Sequence, residues 1–322
     1  MNNKPLILRI ITGTFIILLL TFVLIFLSKS FSKDSAEDFK ENYKETITRP
    51  LLNLEKSNGI VTNIWLENEE KLEKFTQEDI KYLFVDVGGL DSQGRITTPE
   101  NEITNFLSLI KNFEGEKGYS FVVLPYTEII INKDYSLDSS IFVNGLVKEH
   151  SRLVDLGFDG VHIDVEAIPF SQRDEYLEFL EKLDKSIGKE KLITVYAGSY
   201  NENPNVWEWE PEFYRNVADR VDLITIPGYD FGLEDEEGYK NYVKNQIEFI
   251  ENKEWNSKFM FAIPTHKKEP ETIDNALESF FLNSNFSKNT GTESRFIGIA
   301  IFAEWTTDEK EWEIFENYLK DA

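Results

Sequence analysis

The sequence comprises 322 residues, of which 41% are hydrophobic and 14% aromatic, which is enough for a sizeable core and excludes a largely disordered chain. Its 58 acidic residues outnumber 34 basic residues and give a net charge of -24, a balance that excludes the basic surface nucleic acid requires. There is no cysteine, so disulfides, thiol chemistry and cysteine-based metal sites are excluded.

The chain begins with a long uncharged apolar run. Residues 10–27, IITGTFIILLLTFVLIFL, span about 27 Å as a helix, close to the roughly 30 Å core of a bilayer. A cleaved signal peptide is the alternative, but no small-x-small cleavage site follows the run. We predict a cytoplasmic N-terminus over residues 1–9, a transmembrane signal-anchor over 10–27 and a polar stalk over 28–58. The acidic remainder is expected outside the cytoplasm, at the cell membrane, or secreted if the anchor is cleaved.

Beyond the stalk, short apolar runs rich in β-branched residues alternate with amphipathic, charged segments. The runs predict strands over residues 60–66, 82–88, 119–126, 160–166, 192–198, 222–229, 258–265 and 296–302. The segments between most of them predict helices over residues 101–113, 139–157, 171–188, 237–252, 270–283 and 307–321. This alternation predicts a single α/β domain, a (β/α)8 TIM barrel over residues 59–322. An open doubly wound sheet is the alternative, but its G-x-G-x-x-G loop is absent after the first strand.

Polar and aromatic residues stand at most of the predicted strand ends. They are Asp86, Tyr126, Glu128, Asp164, Glu166, Tyr196, Tyr229, Asp230, His266, Glu304 and Trp305. In such a barrel, chemistry is located at the C-terminal ends of the strands. Acids and aromatics that converge there form an electronegative cup with stacking surfaces, which suits a sugar.

The predicted fourth strand carries three ionisable residues at alternate positions, in GFDGVHIDVEAI (157–168). Because side chains alternate along a strand, His162, Asp164 and Glu166 point the same way, toward the barrel axis. Repulsion and burial raise the pKa of one carboxyl group in such a pair, which suits a general acid near neutral pH. The alternative is a charge network inside the barrel without chemistry.

This stretch resembles the strand-four signature of glycoside hydrolase family 18, the chitinase-like family. The signature is D-x-x-D-x-D-x-E with Gly after the first Asp, and Asp159, Gly160, Asp164 and Glu166 match it. His162 stands where the middle Asp is usual. A Tyr-Asp pair at the end of strand six is a second match, at Tyr229 and Asp230. The Ser-x-Gly-Gly of many members is absent from strand three, which reads VVLPYTE.

The resemblance implies substrate-assisted, retaining hydrolysis of a glycan that contains N-acetylhexosamine. It implies that Glu166 protonates the glycosidic oxygen, that Asp164 orients the N-acetyl group and that Tyr229 binds this group. With Asp159, these residues are the predicted catalytic set. The predicted substrate-binding residues are Asp230, Trp305, Tyr196, Tyr126, Asp86, His162 and Glu304, with Trp305 as the floor under the reacting sugar.

The departure at His162 leaves two possibilities open: this residue donates a hydrogen bond that holds Asp164 ionised, or it uncouples the two acids. A catalytically weak glycan-binding barrel is therefore an alternative function. A second alternative is a retaining glycosidase of another family with a carboxylate nucleophile such as Asp230.

The remaining polar and aromatic residues carry weaker functional signals. The three histidines are scattered, no G-x-S-x-G elbow is present, and we expect neither a metal ion nor a cofactor. His150 is expected to be a solvated helix residue. The segment VWEWEPEFY (206–214) either lines a sugar cleft or packs helices through Trp207 and Trp209. We expect a monomer whose partners are a glycan and, through the N-terminal helix, a membrane.

Overall fold

The computed structural model describes residue 49 and residues 52–66, 68–266, 268–286 and 294–321. Within these residues the strands are β1 (Asn58–Asn63), β2 (Ile80–Asp86), β3 (Val122–Ile130), β4 (Gly160–Glu166), β5 (Leu192–Tyr196), β6 (Leu223–Pro227), β7 (Lys258–Pro264) and β8 (Phe296–Phe302). The helices between and after them are α1 (Glu69–Gln77), α2 (Glu100–Lys117), α3 (Ser140–Leu156), α4 (Arg173–Ile187), α5 (Pro211–Ala218), α6 (Glu236–Glu251), α7 (Ile273–Asn283) and α8 (Glu309–Asp321).

The strands close into a parallel barrel. Each strand pairs with its neighbours in sequence, and β8 pairs with β1 through Gly59 and Ala300. The predicted (β/α)8 barrel is therefore confirmed, and the open sheet is wrong. Two short strands, Ser199–Tyr200 and Glu208–Trp209, form a separate pair in the connection from β5 to α5.

Two cores follow from the alternation of side chains along the strands. On β4, Val161, Ile163 and Val165 are buried in the layer between the barrel wall and the helices. A second cluster, which includes Phe84 and Met260, fills the inside of the barrel. His162, Asp164 and Glu166 consequently face the interior and its C-terminal mouth.

The motif glycine has a packing role at the start of β4. A Cβ atom on Gly160 would lie 2.1 Å from the carbonyl oxygen of Leu192, so no larger residue fits between β4 and β5 there. The match of this glycine to the family pattern is thus explained by the close approach of two backbones.

The N-terminal end of the barrel is closed by residues that the sequence assigned to the stalk. Arg49 is buried and donates from Nε to Asp222 at 2.9 Å, and it also pairs with Asp184. Leu52 and Leu54 pack against the interior cluster. Because these residues complete the core, the folded unit begins before the predicted boundary at residue 59.

The predicted membrane segment is not among these elements. No helix in the described ranges is both long and apolar enough to cross a bilayer. The predicted cytoplasmic N-terminus (1–9), the signal-anchor (10–27) and most of the stalk lie outside the described residues.

Candidate active site

The register of β2, β3 and β4 brings acidic residues together at the mouth of the barrel. Asp86 pairs with Tyr126 in the register, and Glu128 pairs with Asp164. Glu166 follows two positions further along β4, on the same face. These carboxyl groups therefore lie on adjacent strands at the same end of the barrel.

Glu166 is a half-buried carboxyl group at the end of β4. Burial, followed by the negative charges of Glu128 and Asp230, raises its pKa to about 7. A substantial fraction of Glu166 is thus protonated at neutral pH, which is the state that a general acid requires.

Asp164 lies deeper and is held by a hydrogen bond. The Tyr126 hydroxyl donates to its Oδ2 at 2.7 Å. Burial, followed by the charge of Glu166, raises the pKa of Asp164 well above its usual range, although the Tyr126 hydrogen bond acts in the opposite direction. The Asp164–Glu166 pair therefore resists carrying two negative charges.

His162, a predicted substrate-binding residue, lies inside the barrel. It is fully buried, and its ring packs against Phe84, Tyr126 and Tyr196 at centroid distances of 4.2, 5.7 and 4.9 Å. Burial lowers its pKa to about 3, so the ring is neutral. A ring enclosed on three sides inside the barrel cannot contact a glycan at the mouth.

The tautomer of His162 follows from its partner. The Thr194 hydroxyl donates to Val161 O at 3.0 Å, so Thr194 Oγ1 accepts from His162 Nδ1 at 2.6 Å. Nε2 then carries no proton, and it has no hydrogen-bond partner among the described residues. Tyr126, and not His162, supplies the hydrogen bond to Asp164.

Asp159 is not part of the site either. It precedes β4 at the N-terminal end of the barrel, and its Oδ2 accepts from Val123 N at 2.8 Å. Its own N–H donates to Val123 O at 2.9 Å, which ties the start of β4 to β3. The whole length of β4 separates Asp159 from Glu166, so this predicted catalytic residue lies away from the mouth and its contacts there are structural.

Tyr229 and Asp230 follow β6. The Tyr229 ring stacks on Phe302 at 4.7 Å and meets His266 edge-on at 6.1 Å. Asp230 is exposed and lies 3.3 Å from Lys268 Nζ. Its charge contributes to the raised pKa of Glu166, so the structure brings this pair to the same mouth as the β4 acids.

Three further predicted residues form the wall and rim of the mouth. Tyr196, at the end of β5, is buried and meets Tyr126 edge-on at 6.0 Å. Asp86 is half-buried, and its Oδ1 accepts from Gly88 N at 2.8 Å. Glu304 is nearly buried and forms an ion pair with Lys71 of α1.

Four exposed aromatic side chains lie in segments that follow strands of the barrel. Trp65, Phe170, Trp207 and Trp305 are 53%, 47%, 51% and 49% exposed and follow β1, β4, β5 and β8 respectively. In the closed order, β1 and β8 are neighbours, and β4 and β5 are neighbours on the opposite side. Exposed aromatic residues therefore follow neighbouring strands on two opposite sides of the barrel.

The segment 206–214 is divided between the core and the surface. Trp209 is 1% exposed and packs edge-on against Phe213 and Tyr214 at 5.0 and 5.2 Å, whereas Trp207 is 51% exposed. Trp209 is thus a core residue, and Trp207 belongs to the rim.

His150 is buried, and the prediction of a solvated residue is wrong. Its Nδ1 donates to Leu146 O at 2.7 Å, so Nε2 accepts from the Thr127 hydroxyl at 3.0 Å. The residue connects α3 to β3 beside Glu128. His150 lies on the same helix face as the buried Phe142, Leu146 and Val154. This spacing could have predicted its burial.

Asp230, His266 and Glu271 are the described residues that could hold a metal ion, since one ligand atom from each lies within 4.8 Å of the others. Glu271 already accepts three backbone N–H groups, and Asp230 pairs with Lys268. These contacts give the cluster a role in the loop after β6. Sequence reasoning missed Glu271 because it lies in a charged segment without periodicity.

No family model matches the sequence. Among curated proteins, the chain is similar to "Uncharacterized glycosylase YvbX" of Bacillus subtilis (strain 168), with 25% identity over 158 residues. The match covers 45% of this chain and 46% of that protein. The chain therefore spans about half the length of the curated relative that it matches.

Solved structures share the fold at low identity. A chitinase from Chromobacterium violaceum ATCC 12472 has a TM-score of 0.54 at 13% identity, over 81% of this chain and 99% of that one. The spore cortex-lytic enzyme SleL of Bacillus megaterium QM B1551 has 0.53 at 11%, over 83% and 75%. A xylanase–α-amylase inhibitor protein in complex with trehalose has 0.56 at 16%, over 84% and 99%. These similarities show that the chain has the same barrel fold as the three proteins.

Proposed function

We propose that the protein is a glycoside hydrolase that cleaves a glycan containing N-acetylhexosamine, with Glu166 as the general acid. The observation that carries the proposal is Glu166 itself, a carboxyl group with a pKa of about 7 at the C-terminal end of a barrel strand, where such barrels place their chemistry. The glycosylase name of the curated relative and the chitinase and cortex-lytic neighbours support the same class.

The proposed reaction uses the N-acetyl group of the substrate. Its carbonyl oxygen attacks the anomeric carbon while Glu166 transfers its proton to the departing glycosidic oxygen, and that C–O bond breaks. The oxygen of a water molecule then bonds to the anomeric carbon and opens the cyclic intermediate. The Glu166 carboxylate takes up one proton from this water. The product keeps the anomeric configuration of the substrate.

The other residues orient this group. The Tyr126 hydroxyl donates to Oδ2 of Asp164, which leaves Oδ1 for a hydrogen bond with the acetamido group. Tyr229, held by its stack on Phe302, is placed to donate to the acetamido carbonyl. Trp305 is the aromatic surface for the reacting sugar, because it is exposed after β8, whereas Ala303, two positions earlier, is buried and has no aromatic ring.

The negative charge of the mouth affects which glycans can bind. The mouth contains the carboxyl groups of Asp86, Glu128, Glu166 and Asp230. Two described cations, Lys268 and Lys71, are paired with Asp230 and Glu304. This distribution favours a neutral polymer over a polyanionic one. An N-acetylated cell-surface polymer fits a domain that the N-terminal apolar segment tethers outside the cytoplasm.

The second candidate is a glycan-binding barrel with weak catalysis. The fully buried, neutral His162, which stands where the family pattern has an acid, favours this candidate. The inhibitor protein among the fold neighbours is a precedent for the same barrel in a protein named for inhibition.

The test is a turnover assay of the purified protein. Chitin oligomers, peptidoglycan and N-glycans are each incubated with it, and new reducing ends are measured together with their anomeric configuration. We expect retained products from at least one N-acetylated substrate and none from its fully deacetylated form. Binding without turnover would favour the second candidate, and equal cleavage of the deacetylated form would contradict substrate assistance.

A further inference from the structure

The loop after β6, which carries Tyr229 and Asp230, has an unusual backbone. Asp230 has a φ of 61° and Gly232 has a φ of 66°, and both values lie in the left-handed region. Glycine adopts this region without penalty, whereas a residue with a Cβ does so at a cost. The conformation at Asp230 therefore depends on contacts that the rest of the molecule supplies.

Glu271, from the segment between β7 and α7, supplies such contacts. It is 1% exposed. Its Oε2 accepts from the N–H of Asp230 at 2.5 Å, and Oε1 accepts from Phe231 and Gly232 at 2.9 and 3.2 Å. Three consecutive N–H groups thus end on one buried carboxylate. Hydrogen bonds to an ionised acceptor are stronger than neutral ones, and buried N–H groups without acceptors are costly.

The loop is anchored at its other end as well. The Tyr239 hydroxyl donates to Gly228 O at 2.7 Å, and Gly228 N donates to Ala262 O at 2.8 Å. Tyr229 and Asp230 lie between this anchor and Glu271. Since the Tyr239 anchor ends at Gly228, it is Glu271 that contacts the backbone of Asp230 itself.

We propose that Glu271 is a positioning residue for the reaction at Glu166, acting through the Tyr229–Asp230 loop; this inference rests on the proposed function. Glu271 holds Tyr229 where its hydroxyl reaches the acetamido group. It also holds the Asp230 carboxylate close enough to Glu166 to influence its proton. Loss of the Glu271 carboxylate releases the left-handed residue and moves both side chains.

The test compares steady-state kinetics of Glu271→Gln with the wild type. Glutamine keeps the size and one acceptor oxygen but turns an NH2 group toward the backbone N–H groups. We expect kcat to fall by at least about tenfold with KM changed by less than about threefold. We also expect the basic limb of the pH–rate profile to move to lower pH, because a displaced Asp230 no longer raises the pKa of Glu166.

Two comparisons separate positioning from general damage. Asp230→Asn is expected to move the basic limb in the same direction, and the double variant is expected to move it no further than either single variant. Glu269→Gln neutralises an exposed acid two positions earlier and is expected to behave as wild type. If Glu271→Gln does not fold, Glu271→Asp, with a carboxylate on a shorter arm, is expected to give the same changes in smaller degree.

The outcomes are distinguishable. An active wild type with an unchanged kcat and pH profile in Glu271→Gln overturns the inference and leaves the proposed function standing. A loss of activity that matches the unfolded fraction measured by circular dichroism also overturns it. A wild type without turnover on every glycan overturns the proposed function, and the assignment of Glu271 with it.

Discussion

Glu166 and Asp164 lie two residues apart on one face of β4, yet their surroundings differ. Asp164 is 8% exposed and receives a hydrogen bond from Tyr126, whereas Glu166 is half-buried at the mouth beside Glu128 and Asp230. The more deeply buried residue is held in one orientation, and the outer one is available to a substrate. In the proposed reaction, these environments suit Asp164 to the orienting role and Glu166 to the role of proton donor.

The raised pKa of Glu166 predicts a stability cost above neutral pH. The folded state binds this proton more tightly than the unfolded state, so stability is gained as pH falls through about 7 and is lost as pH rises. We expect Glu166→Gln to stabilise the protein at pH 8 by about 1 to 2 kcal/mol, after allowance for solvent screening, and to have no such effect near pH 4. Chemical denaturation at the two pH values measures this, and equal effects at both would contradict the assigned environment.

Strand β4 was predictable to the residue, because apolar and ionisable residues alternate along it without interruption. Its neighbour β3 extends to Ile130, four residues beyond the predicted end, since Pro125 and Glu128 disguise the pattern. Helices α1 and α5 were not predicted. Helix α1 buries only Leu72 and Phe75, and α5 has 8 residues, so neither shows a long apolar stripe.

The site was predictable in part for a related physical reason. Strand alternation identifies which residues face the interior, but depth along the strand decides which of them reach the mouth. His162 and Asp159 carry chemistry-bearing side chains, yet one lies inside the barrel and the other at its far end. Glu271 lies in a different strand–helix connection from the Asp230 backbone that it contacts, and no local sequence pattern predicts a contact between two connections.

The connection from β5 to α5 contains two tryptophans two residues apart with different environments. Trp209→Ala is expected to cost about 3 to 5 kcal/mol of unfolding free energy, since it empties a packed site. Trp207→Ala is expected to leave stability within about 0.5 kcal/mol and to weaken binding of long glycans more than short ones. Denaturation and binding titrations on both variants measure this, and an unstable Trp207→Ala would contradict its place on the rim.

The segment before β1 is joined to the barrel by a buried ion cluster. Arg49→Ala leaves Asp222 buried without its cation, and we expect a loss of about 3 to 5 kcal/mol with kcat unchanged, because the cluster lies at the end opposite the mouth. The control is Lys182→Ala, whose ion pair with Glu178 is exposed and worth less than about 1 kcal/mol. Equal, small effects of the two variants would contradict the role of Arg49 in closing the barrel.

At the scale of the whole molecule, acidic charge and exposed aromatic side chains affect glycan binding in different ways. The sequence has a net charge of -24 and the mouth is itself acidic, whereas exposed aromatic residues follow strands on two opposite sides of the barrel. An extended neutral polymer gains contact with both sides without electrostatic penalty. A polyanion is repelled before it reaches Glu166.

This charge predicts a salt dependence that differs between substrates. Cleavage of a neutral N-acetylated oligomer is expected to change little between about 0.02 and 0.3 M salt, where the screening length shortens severalfold. Any cleavage of an anionic glycan of the same length is expected to increase over that range as the repulsion is screened. Initial rates at matched concentrations give both curves, and an anionic substrate that is cleaved fastest at low salt would contradict this view of the mouth.

The most direct test of the central claim is the turnover of Glu166→Gln on the N-acetylated glycan that the wild type cleaves. The variant keeps the shape of the side chain but has no proton of suitable pKa to transfer, and Glu178→Gln on the exposed face of α4 is its control. We expect kcat to fall by about 10²- to 10⁴-fold, with glycan binding retained and the control unchanged. Turnover by Glu166→Gln at the wild-type rate would contradict it.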